Sequence, residues 1–250
     1  ENSSGPNEPT HLAVIFDHKS KTFRSKIYSK YKANRPPAPD DLIPQFDLIK
    51  QATEAFGLPL IEVKGYEADD IIASYAVEAS KLGASVTILS SDKDLMQLID
   101  DGISMYDTMK NKIINRDTVL EKFGVCPEKV IDVQSLAGDR IDNIPGAPGI
   151  GIKTAAQLIN DFGDLDTLLR RANEIKQPKK RETLIENTNQ IIVSRELVTL
   201  KKDVPLPLSF PQLEKKNLKP DTILNFTSSM EFRTLTNRIS KKFNISRIDE

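Results

Sequence analysis

The sequence predicts a mixed α/β fold, with a mostly parallel central sheet flanked by helices and a helical module after it. Two observations lead to this prediction. In the first half of the 250-residue chain, short apolar runs alternate with segments of helical periodicity, an order typical of parallel sheets covered by helices. From about residue 119 onward the strand-like runs stop, and helical patterns continue past a Pro/Gly-rich break at residues 145–151.

The first elements follow from apolar spacing and from glycine stops. Residues 12–16 form an apolar run that predicts a buried strand. Residues 41–56 carry apolar side chains at helical spacing and are followed by a glycine, which favours a helix that ends there. A second strand is predicted over residues 60–63, and a second glycine-ended helix over residues 67–82.

The remaining elements are shorter. A third strand is predicted over residues 85–89, a short helix from Asp94, and a fourth strand over residues 103–106. In the second half, the sequence predicts the following in order: a basic loop over 176–181, an extended connector over 204–208, and short helices over 222–226 and 228–239.

Composition excludes several kinds of protein. No apolar run is long enough for a transmembrane helix, and residues 1–10 lack an apolar signal region and are expected to be a mobile leader. One cysteine and two histidines exclude an internal disulfide and a zinc site of the usual Cys/His kind. Any bound metal is therefore expected to be a hard ion held by oxygen ligands.

Carboxylates follow three predicted strands. Asp17 follows the first strand, and two further groups follow the second and third, namely Glu67, Asp69 and Asp70, then Asp92 and Asp94. The carboxyl ends of parallel strands share one sheet edge, where unpaired carboxylates repel one another. A pair of divalent cations such as Mg²⁺ would relieve that repulsion. Asp139 and Asp142 join the group only if the second half folds over this edge.

The alternative is a purely structural role, in which these acids are helix N-caps. For Asp70 alone, the cap is the favoured role. For six acids at one edge, the metal-binding interpretation is favoured.

Charge is unevenly distributed along the chain. The net charge of −1 argues against nucleic-acid binding, but residues 18–35 contain seven Lys/Arg and no acid. Phe23, Tyr28 and Tyr31 are interleaved with these cations. On a helix, Arg24, Tyr28 and Lys32 would share one face, which would suit phosphates and stacked bases. A solvated basic helix is the alternative.

Residues 145–151 form a glycine-rich turn before a predicted helix. Such a turn lets backbone N–H groups approach a phosphate, which favours a helix-hairpin-helix that grips nucleic acid without reading its sequence. A plain helix–helix turn is one alternative. A Walker A loop is another, but Ile152 adds a residue before Lys153, and no apolar strand precedes Gly146. The basic residues Lys176, Lys179, Lys180 and Arg181 would extend the same grip along the duplex.

Six motifs occur in one order: Phe16-Asp17-His18 with Thr22-Phe23-Arg24; Tyr31 to Pro36; Gly65-Tyr66-Glu67-Ala68-Asp69-Asp70; Ser91 to Leu95; Gly138 to Gly146; and Gly149 to Ala155. In these motifs, from about His11 to about Val204, the chain resembles the 5′-nuclease domains found at the N-terminus of bacterial DNA polymerases I, within the flap-endonuclease family. The resemblance implies a PIN/flap-nuclease-like fold with a helical arch and a helix-hairpin-helix.

The resemblance also implies an activity, cofactors and residue roles. The reaction would be two-metal hydrolysis of DNA phosphodiesters at 5′ ends and flaps, with Mg²⁺ or Mn²⁺, and a monovalent cation such as K⁺ would bind at the hairpin. Metal ligands would be Asp17, Glu67, Asp69, Asp92, Asp94, Asp139 and Asp142, with the division between two ions left open. Lys32 and Arg35 would steer the scissile phosphate, and Arg24 would support the arch. DNA contacts would come from Tyr28, Tyr31, Gly149, Gly151, Lys153, Thr154, Lys179 and Lys180.

The resemblance sets expected boundaries and a setting. A nuclease core would span residues 11–136, with the arch over about 18–40, a helix-hairpin-helix module 137–205, and C-terminal helices 206–250 leading toward a polymerase region. The expected partners are DNA with a 5′ flap, nick or 5′ end and RNA primers, not a membrane, for a cytoplasmic, nucleoid-associated monomer. Two other interpretations stay open, a non-catalytic DNA-junction binder and an NTPase that uses the glycine loop.

One departure from the family pattern stands out. The family begins with a strand whose aspartate is a metal ligand, and nothing before His11 matches it. This strand is therefore expected to be missing from the chain, and a fragment without it is expected to have weakened metal affinity and activity.

Overall fold

A computed structural model describes residues 8–245. The strands are β1 Val14–Ile15, β2 Leu60–Ile61, β3 Val86–Leu89, β4 Ile103–Asp107 and β5 Lys112–Ile114. The α-helices are α1 Arg24–Ile27, α2 Ile43–Ala55, α3 Ala68–Lys81, α4 Arg116–Phe123, α5 Val130–Ala137, α6 Ile152–Phe162, α7 Leu165–Arg170, α8 Pro178–Glu186, α9 Thr188–Val198, α10 Pro220–Ser229 and α11 Arg233–Lys242. Short 3₁₀ helices cover Lys93–Leu98, Pro127–Lys129, Ala172–Glu174 and Phe210–Leu213.

The chain divides into two compact units. The first unit combines Glu1–Phe16, Pro37–Glu62 and Pro207–Glu250, and the second combines Asp17–Pro36 and Val63–Leu206. The sequence-based boundaries at residues 136 and 205 are not tested by this division and stay a prediction.

The first unit contains a two-stranded parallel sheet. Strand β1 pairs with β2 in the register Val14 to Leu60 and Ile15 to Ile61. Helix α2 packs against α10, and α10 packs against α11. The predicted mobile leader lies outside the described residues over 1–7. Within its last three residues, the backbone carbonyl of Thr10 accepts a hydrogen bond from the Lys215 N–H at 2.8 Å, so this end is held in place.

The second unit contains a three-stranded sheet. Strand β3 pairs with β4 in parallel, and β4 pairs with β5 in the antiparallel direction. The predicted mostly parallel pairing is confirmed, but the strands form two small sheets instead of one. Strand β5 is an addition that sequence patterning missed, because Lys112 and Ile113 are exposed and only Ile114 is buried.

One continuous core fills the second unit. It extends along the chain from Ala73 in α3 to Leu200 after α9, and its fully buried members include Leu95, Met105 and Leu136. Helix α5 packs against both α6 and α9. The helical second half of this unit is therefore packed into the same core as the strands β3–β5, which fixes the loops between these elements around one region.

Two segments differ from the sequence-based expectation. The basic stretch is helical only over Arg24–Ile27, and Lys32 has a left-handed φ of 55°, so Arg24, Tyr28 and Lys32 do not share a helical face. Within the basic loop expected over 176–181, residues 178–181 form the first turn of α8 instead, because Pro178 suits the first helical position. Among the described residues, no helix combines the length and apolar character needed to cross a membrane.

Candidate acidic site and glycine hairpin

Six of the seven predicted metal-binding carboxylates line one cavity in the second unit. The cavity has a volume of about 130 Å³. The six are Asp17, Glu67, Asp69, Asp92, Asp94 and Asp142. Lys32, Arg35, Arg24 and Tyr31 also line it. The second half of the chain therefore folds back to the carboxylates that follow the predicted strands, at least at Asp142.

Helix starts place these carboxylates. Glu67 is the N-cap of α3 and forms a reciprocal capping box with Asp70. Asp17 accepts a hydrogen bond from the Ala68 backbone N–H at 2.8 Å. Asp92 caps the 3₁₀ helix that contains Asp94, accepting from the Asp94 N–H at 2.9 Å. A capping role is therefore compatible with a place in the cavity, since hydrogen bonds at the starts of α3 and the 3₁₀ helix hold these acids in position.

The crowded carboxylates shift one another's pKa values. Burial, followed by repulsion from Asp92, Asp94, Asp17 and Glu67, raises the pKa of Asp69 to about 7. Burial and then Asp92 raise the pKa of Asp94 to about 6, against a lowering contribution from a Gln134 hydrogen bond. The cavity therefore concentrates negative charge that cations would stabilise.

Basic side chains already pair with part of this charge. Lys32 Nζ lies 2.9 Å from Glu67 Oε1 and 3.8 Å from Asp142 Oδ2. Arg35 pairs with Asp142. Lys32 and Arg35, the two residues predicted to steer the scissile phosphate, thus contact the carboxylates themselves.

Asp139 is the predicted ligand that lies outside the cavity lining. It pairs with Lys93 and accepts the Ile141 backbone N–H at 2.7 Å. The Lys93 pair outweighs burial, so the pKa of Asp139 is lowered. In this structure Asp139 shapes the loop that carries Asp142.

The donor chemistry suits a hard divalent cation. Within residues 8–245, no three Asp, Glu, His or Cys side chains are close enough to form a ready-made metal cage. Mg²⁺ does not require one, because it keeps several waters and uses one or two carboxylates. Half-buried, mutually repelling carboxylates such as Asp69 and Asp94 fit that mode of binding.

Arg24, which is predicted to support the arch, is held in a buried network of hydrogen bonds. Its guanidinium is 1% exposed and binds Asp70 through two nitrogens at 2.6 and 2.8 Å. It also donates to the Leu197 and Thr199 carbonyls. The Asp70 pair outweighs burial and raises the pKa of Arg24. This network leaves Arg24 committed to the protein interior.

The tyrosines of the basic stretch are less available than predicted. Tyr31 is 9% exposed and donates its hydroxyl to Glu67 Oε2 at 3.0 Å, and burial followed by Glu67 raises its pKa. Tyr28 is half-buried and packs against the cluster of Tyr31, Ile144, Leu197 and Val198. Stacking of Tyr31 on a base is therefore incompatible with this packing, whereas Tyr28 keeps an exposed part.

The glycine turn leads into α6 as predicted. Gly149 has φ +75°, and nothing lies within 4 Å of a Cβ added at Gly149 or Gly151. Gly151 is the N-cap of α6 and has no side-chain capping bond. Helix α5, not a strand, precedes the turn, which contradicts the Walker A interpretation. Lys153 and Thr154 lie in the first turn of α6, the end of a helix that attracts anions.

Other predicted contacts and two missed residues complete the site. Lys179 and Lys180 lie in the first turn of α8, and Lys179 is exposed. Sequence reasoning missed Lys93, although its place between Asp92 and Asp94 was a signal for it. It also missed Gln134, which donates to Asp94 Oδ1 at 2.5 Å. Gln134 lies 40 residues along the chain from Asp94, so only packing brings the two together.

The raised acid pKa values predict an unusual pH dependence of stability. A carboxyl whose pKa is higher in the folded state binds protons more tightly there, so its folded state loses stability as pH rises through that pKa. Lowering the pH from about 8 to about 5.5 should therefore raise the melting temperature of the metal-free protein by a few degrees. Scanning calorimetry would measure it. A double variant Asp69→Asn/Asp94→Asn should lack this gain, and an equal gain in that variant would contradict the assignment.

Comparisons with known proteins agree with this geometry. A family model described as "5'-3' exonuclease, N-terminal resolvase-like domain" matches residues 3–124, and one described as "5'-3' exonuclease, C-terminal SAM fold" matches residues 125–221. A 5'-3' exonuclease of Aquifex aeolicus is 35% identical over 94% of this chain and 80% of its own length.

Two further similarities extend the comparison. A DNA polymerase I of Rhizobium leguminosarum is 56% identical over 93% of this chain, but the match spans only 23% of that protein. A bacteriophage T5 D15 flap endonuclease, solved in a pseudo-enzyme-product complex with DNA and metal ions, shares the fold with a TM-score of 0.68, 20% identity, and coverage of 92% of this chain and 81% of that one.

Proposed function

Because this chain belongs to the 5′-3′ exonuclease family and is thus a hydrolytic nuclease, we propose that it cleaves DNA at 5′ ends and 5′ flaps with divalent metal ions in its acidic cavity. The observation that carries the proposal is the convergence of six carboxylates on one cavity that also contains Lys32 and Arg35. Negative side chains alone would repel a phosphate. Carboxylates that hold metal cations beside basic side chains would instead attract one.

The metal would be Mg²⁺ or Mn²⁺, held by some of Asp17, Glu67, Asp69, Asp92, Asp94 and Asp142. When bound there, two such ions supply an activated water and stabilisation of the leaving oxygen. Asp139 takes part only after its Lys93 pair opens, so we propose that it orients the Asp142 loop. Lys32 and Arg35 contact Glu67 and Asp142 when no phosphate is present. On substrate binding, they would turn to the scissile phosphate and stabilise its developing charge.

Duplex would be held at the start of α6. The free space around Gly149 and Gly151 lets a phosphate approach the backbone, and Lys153 and Thr154 lie at the positive end of the helix. Lys179, Lys180 and the exposed part of Tyr28 would add contacts, and the turn would also hold a K⁺ ion, whose charge would favour a phosphate nearby. Since these contacts are to the backbone, DNA structure and not base sequence would be recognised.

The wider setting is also a proposal. The chain spans about a quarter of the length of the DNA polymerase I relatives it matches. We propose that it acts beside a covalently linked polymerase region, removing RNA primers and translating nicks as a monomer in the nucleoid. The support for this setting is the 56% identity over nearly the whole chain.

A cleavage assay on a 5′-flap duplex labelled at the flap tests the function. With Mg²⁺ the chain should release the flap, and with a chelator it should not. The same assay should include a version that carries the family's N-terminal aspartate strand, because a further carboxylate would raise metal affinity. Binding without Mg²⁺-dependent cleavage by either version would instead support a non-catalytic junction binder.

The hairpin makes a separate prediction. Replacing Gly149 with valine should weaken duplex binding by about tenfold, because a branched side chain would occupy the space where the phosphate approaches. The matched control is Gly163→Val at the other end of α6, where φ is +93° and the space is likewise open. Both variants carry left-handed strain, but only the first should lose affinity in fluorescence anisotropy. Equal affinities would reject the hairpin as the duplex site.

A further inference from the structure

Gln134 is the buried polar side chain that the proposed chemistry leaves unexplained. It lies on α5, is 5% exposed, and donates from Nε2 to Asp94 Oδ1 at 2.5 Å. The nitrogen must face the carboxylate, because a carboxylate oxygen only accepts and an amide oxygen at that distance would be repelled. Its bond to Asp94 is therefore directional.

The other end of the same amide lacks a partner in the protein. No described residue offers a hydrogen bond to Gln134 Oε1, although that atom is buried. Leaving a buried acceptor unpaired is costly. Because Oε1 and Nε2 share one carbon atom, this acceptor lies beside the Asp94 carboxylate.

Gln97 shows that such an amide can be fully satisfied here. It is 6% exposed, and its Nε2 donates to the Asp94 and Val198 carbonyls at 2.9 Å each. Its Oε1 accepts the Leu200 N–H at 3.1 Å. The two glutamines approach the same aspartate from different elements, yet only Gln134 keeps an unused acceptor.

Asp94 is thus held from three sides. Asp92 accepts its backbone N–H, Gln97 binds its backbone carbonyl, and Gln134 binds its carboxylate. The first two contacts fix the main chain. Only the Gln134 contact fixes the direction of the carboxylate itself.

We propose that Gln134 is a positioning residue that aims the Asp94 carboxylate at the metal, and that its Oε1 accepts a hydrogen bond from a water bound beside Asp94. The effect on catalysis that we expect from this role rests on the proposed function. Partners that orient a ligating side chain commonly change metal affinity or activity by 10- to 100-fold when removed.

The test replaces Gln134 with methionine, which has similar length but neither donates nor accepts strongly. The Mn²⁺ concentration that gives half of the maximal thermal stabilisation should rise about tenfold, without DNA present. On the flap substrate, kcat should fall by a similar factor while KM stays unchanged. The metal-free melting temperature should stay within a few degrees of the wild type.

Two further variants separate positioning from packing. Ser135→Ala removes a buried hydroxyl that binds the Ile131 carbonyl on the same helix, and should lower stability without changing the Mn²⁺ response. Gln134→Asn keeps the amide but is one methylene shorter, so it should also show the weaker Mn²⁺ response. It provides the test if the methionine variant does not fold.

A folded Gln134 variant with wild-type Mn²⁺ response and kcat would overturn the inference, as would a variant that loses only stability. The proposed function is judged separately. If the wild type is stabilised by Mn²⁺ but cleaves no DNA, the proposed function fails while the role of Gln134 in metal binding can still be measured.

Discussion

Replacing Asp69 with asparagine is expected to abolish Mg²⁺-dependent cleavage and, at the same time, to leave the metal-free protein as stable as the wild type or more stable. Burial, and then repulsion from four neighbouring acids, raises the pKa of Asp69. Its removal relieves repulsion in the fold but takes away a central metal ligand. We expect a loss of at least about a thousandfold in single-turnover rate, equal to roughly 4 kcal/mol.

The measurement pairs flap cleavage with a thermal melt at about pH 8, where the wild-type carboxylates are charged. Glu121→Gln serves as the control, since Glu121 is an exposed acid of α4 outside the cavity lining. That variant should behave as the wild type in both assays. An active Asp69→Asn variant would show that the cavity is not the metal centre, and a strongly destabilised one would show that Asp69 is structural.

Replacing Arg24 with methionine is expected to have the largest effect on stability. The change leaves Asp70, which is 0% exposed, without its bidentate partner and removes the donors to the Leu197 and Thr199 carbonyls. Removing one member of a buried ion pair typically costs about 3–5 kcal/mol. Urea denaturation would measure the loss, which is a large share of the stability of an ordinary domain.

Two variants test that explanation. Arg171→Met breaks an exposed two-nitrogen pair with Glu174, and should leave the urea midpoint nearly unchanged because surface pairs contribute little. The double variant Arg24→Met/Asp70→Asn should recover part of the loss, since no unpaired charge then stays buried. If Arg24→Met unfolds at the wild-type urea concentration, the buried pair does not stabilise the unit as argued.

Much of the acidic site follows from local sequence. Asp17, Glu67 and Asp92 each come directly after a predicted strand or cap the helix that follows. Strand and helix starts are local features, set by apolar runs and by side-chain capping of backbone N–H groups. Their convergence on one cavity is not local, because it also depends on how the segments that carry them pack together. The glycine turn before α6 is itself local, since positive φ at Gly149 is a property of the residue type.

Only the tertiary structure determines which side chains the site residues contact. A run of Lys, Arg and Tyr gives no indication that Arg24 and Tyr31 are buried, while Lys32 and Arg35 stay partly exposed. Lys93 pairs with Asp139 across 46 residues, and Gln134 reaches Asp94 across 40. Such pairs depend on how α5 and the 138–144 loop pack on the core. A polar group that packing buries must find a partner in the protein, whereas the same group on the surface is satisfied by water. Sequence therefore specified which groups the site contains, and packing specified what each of them contacts.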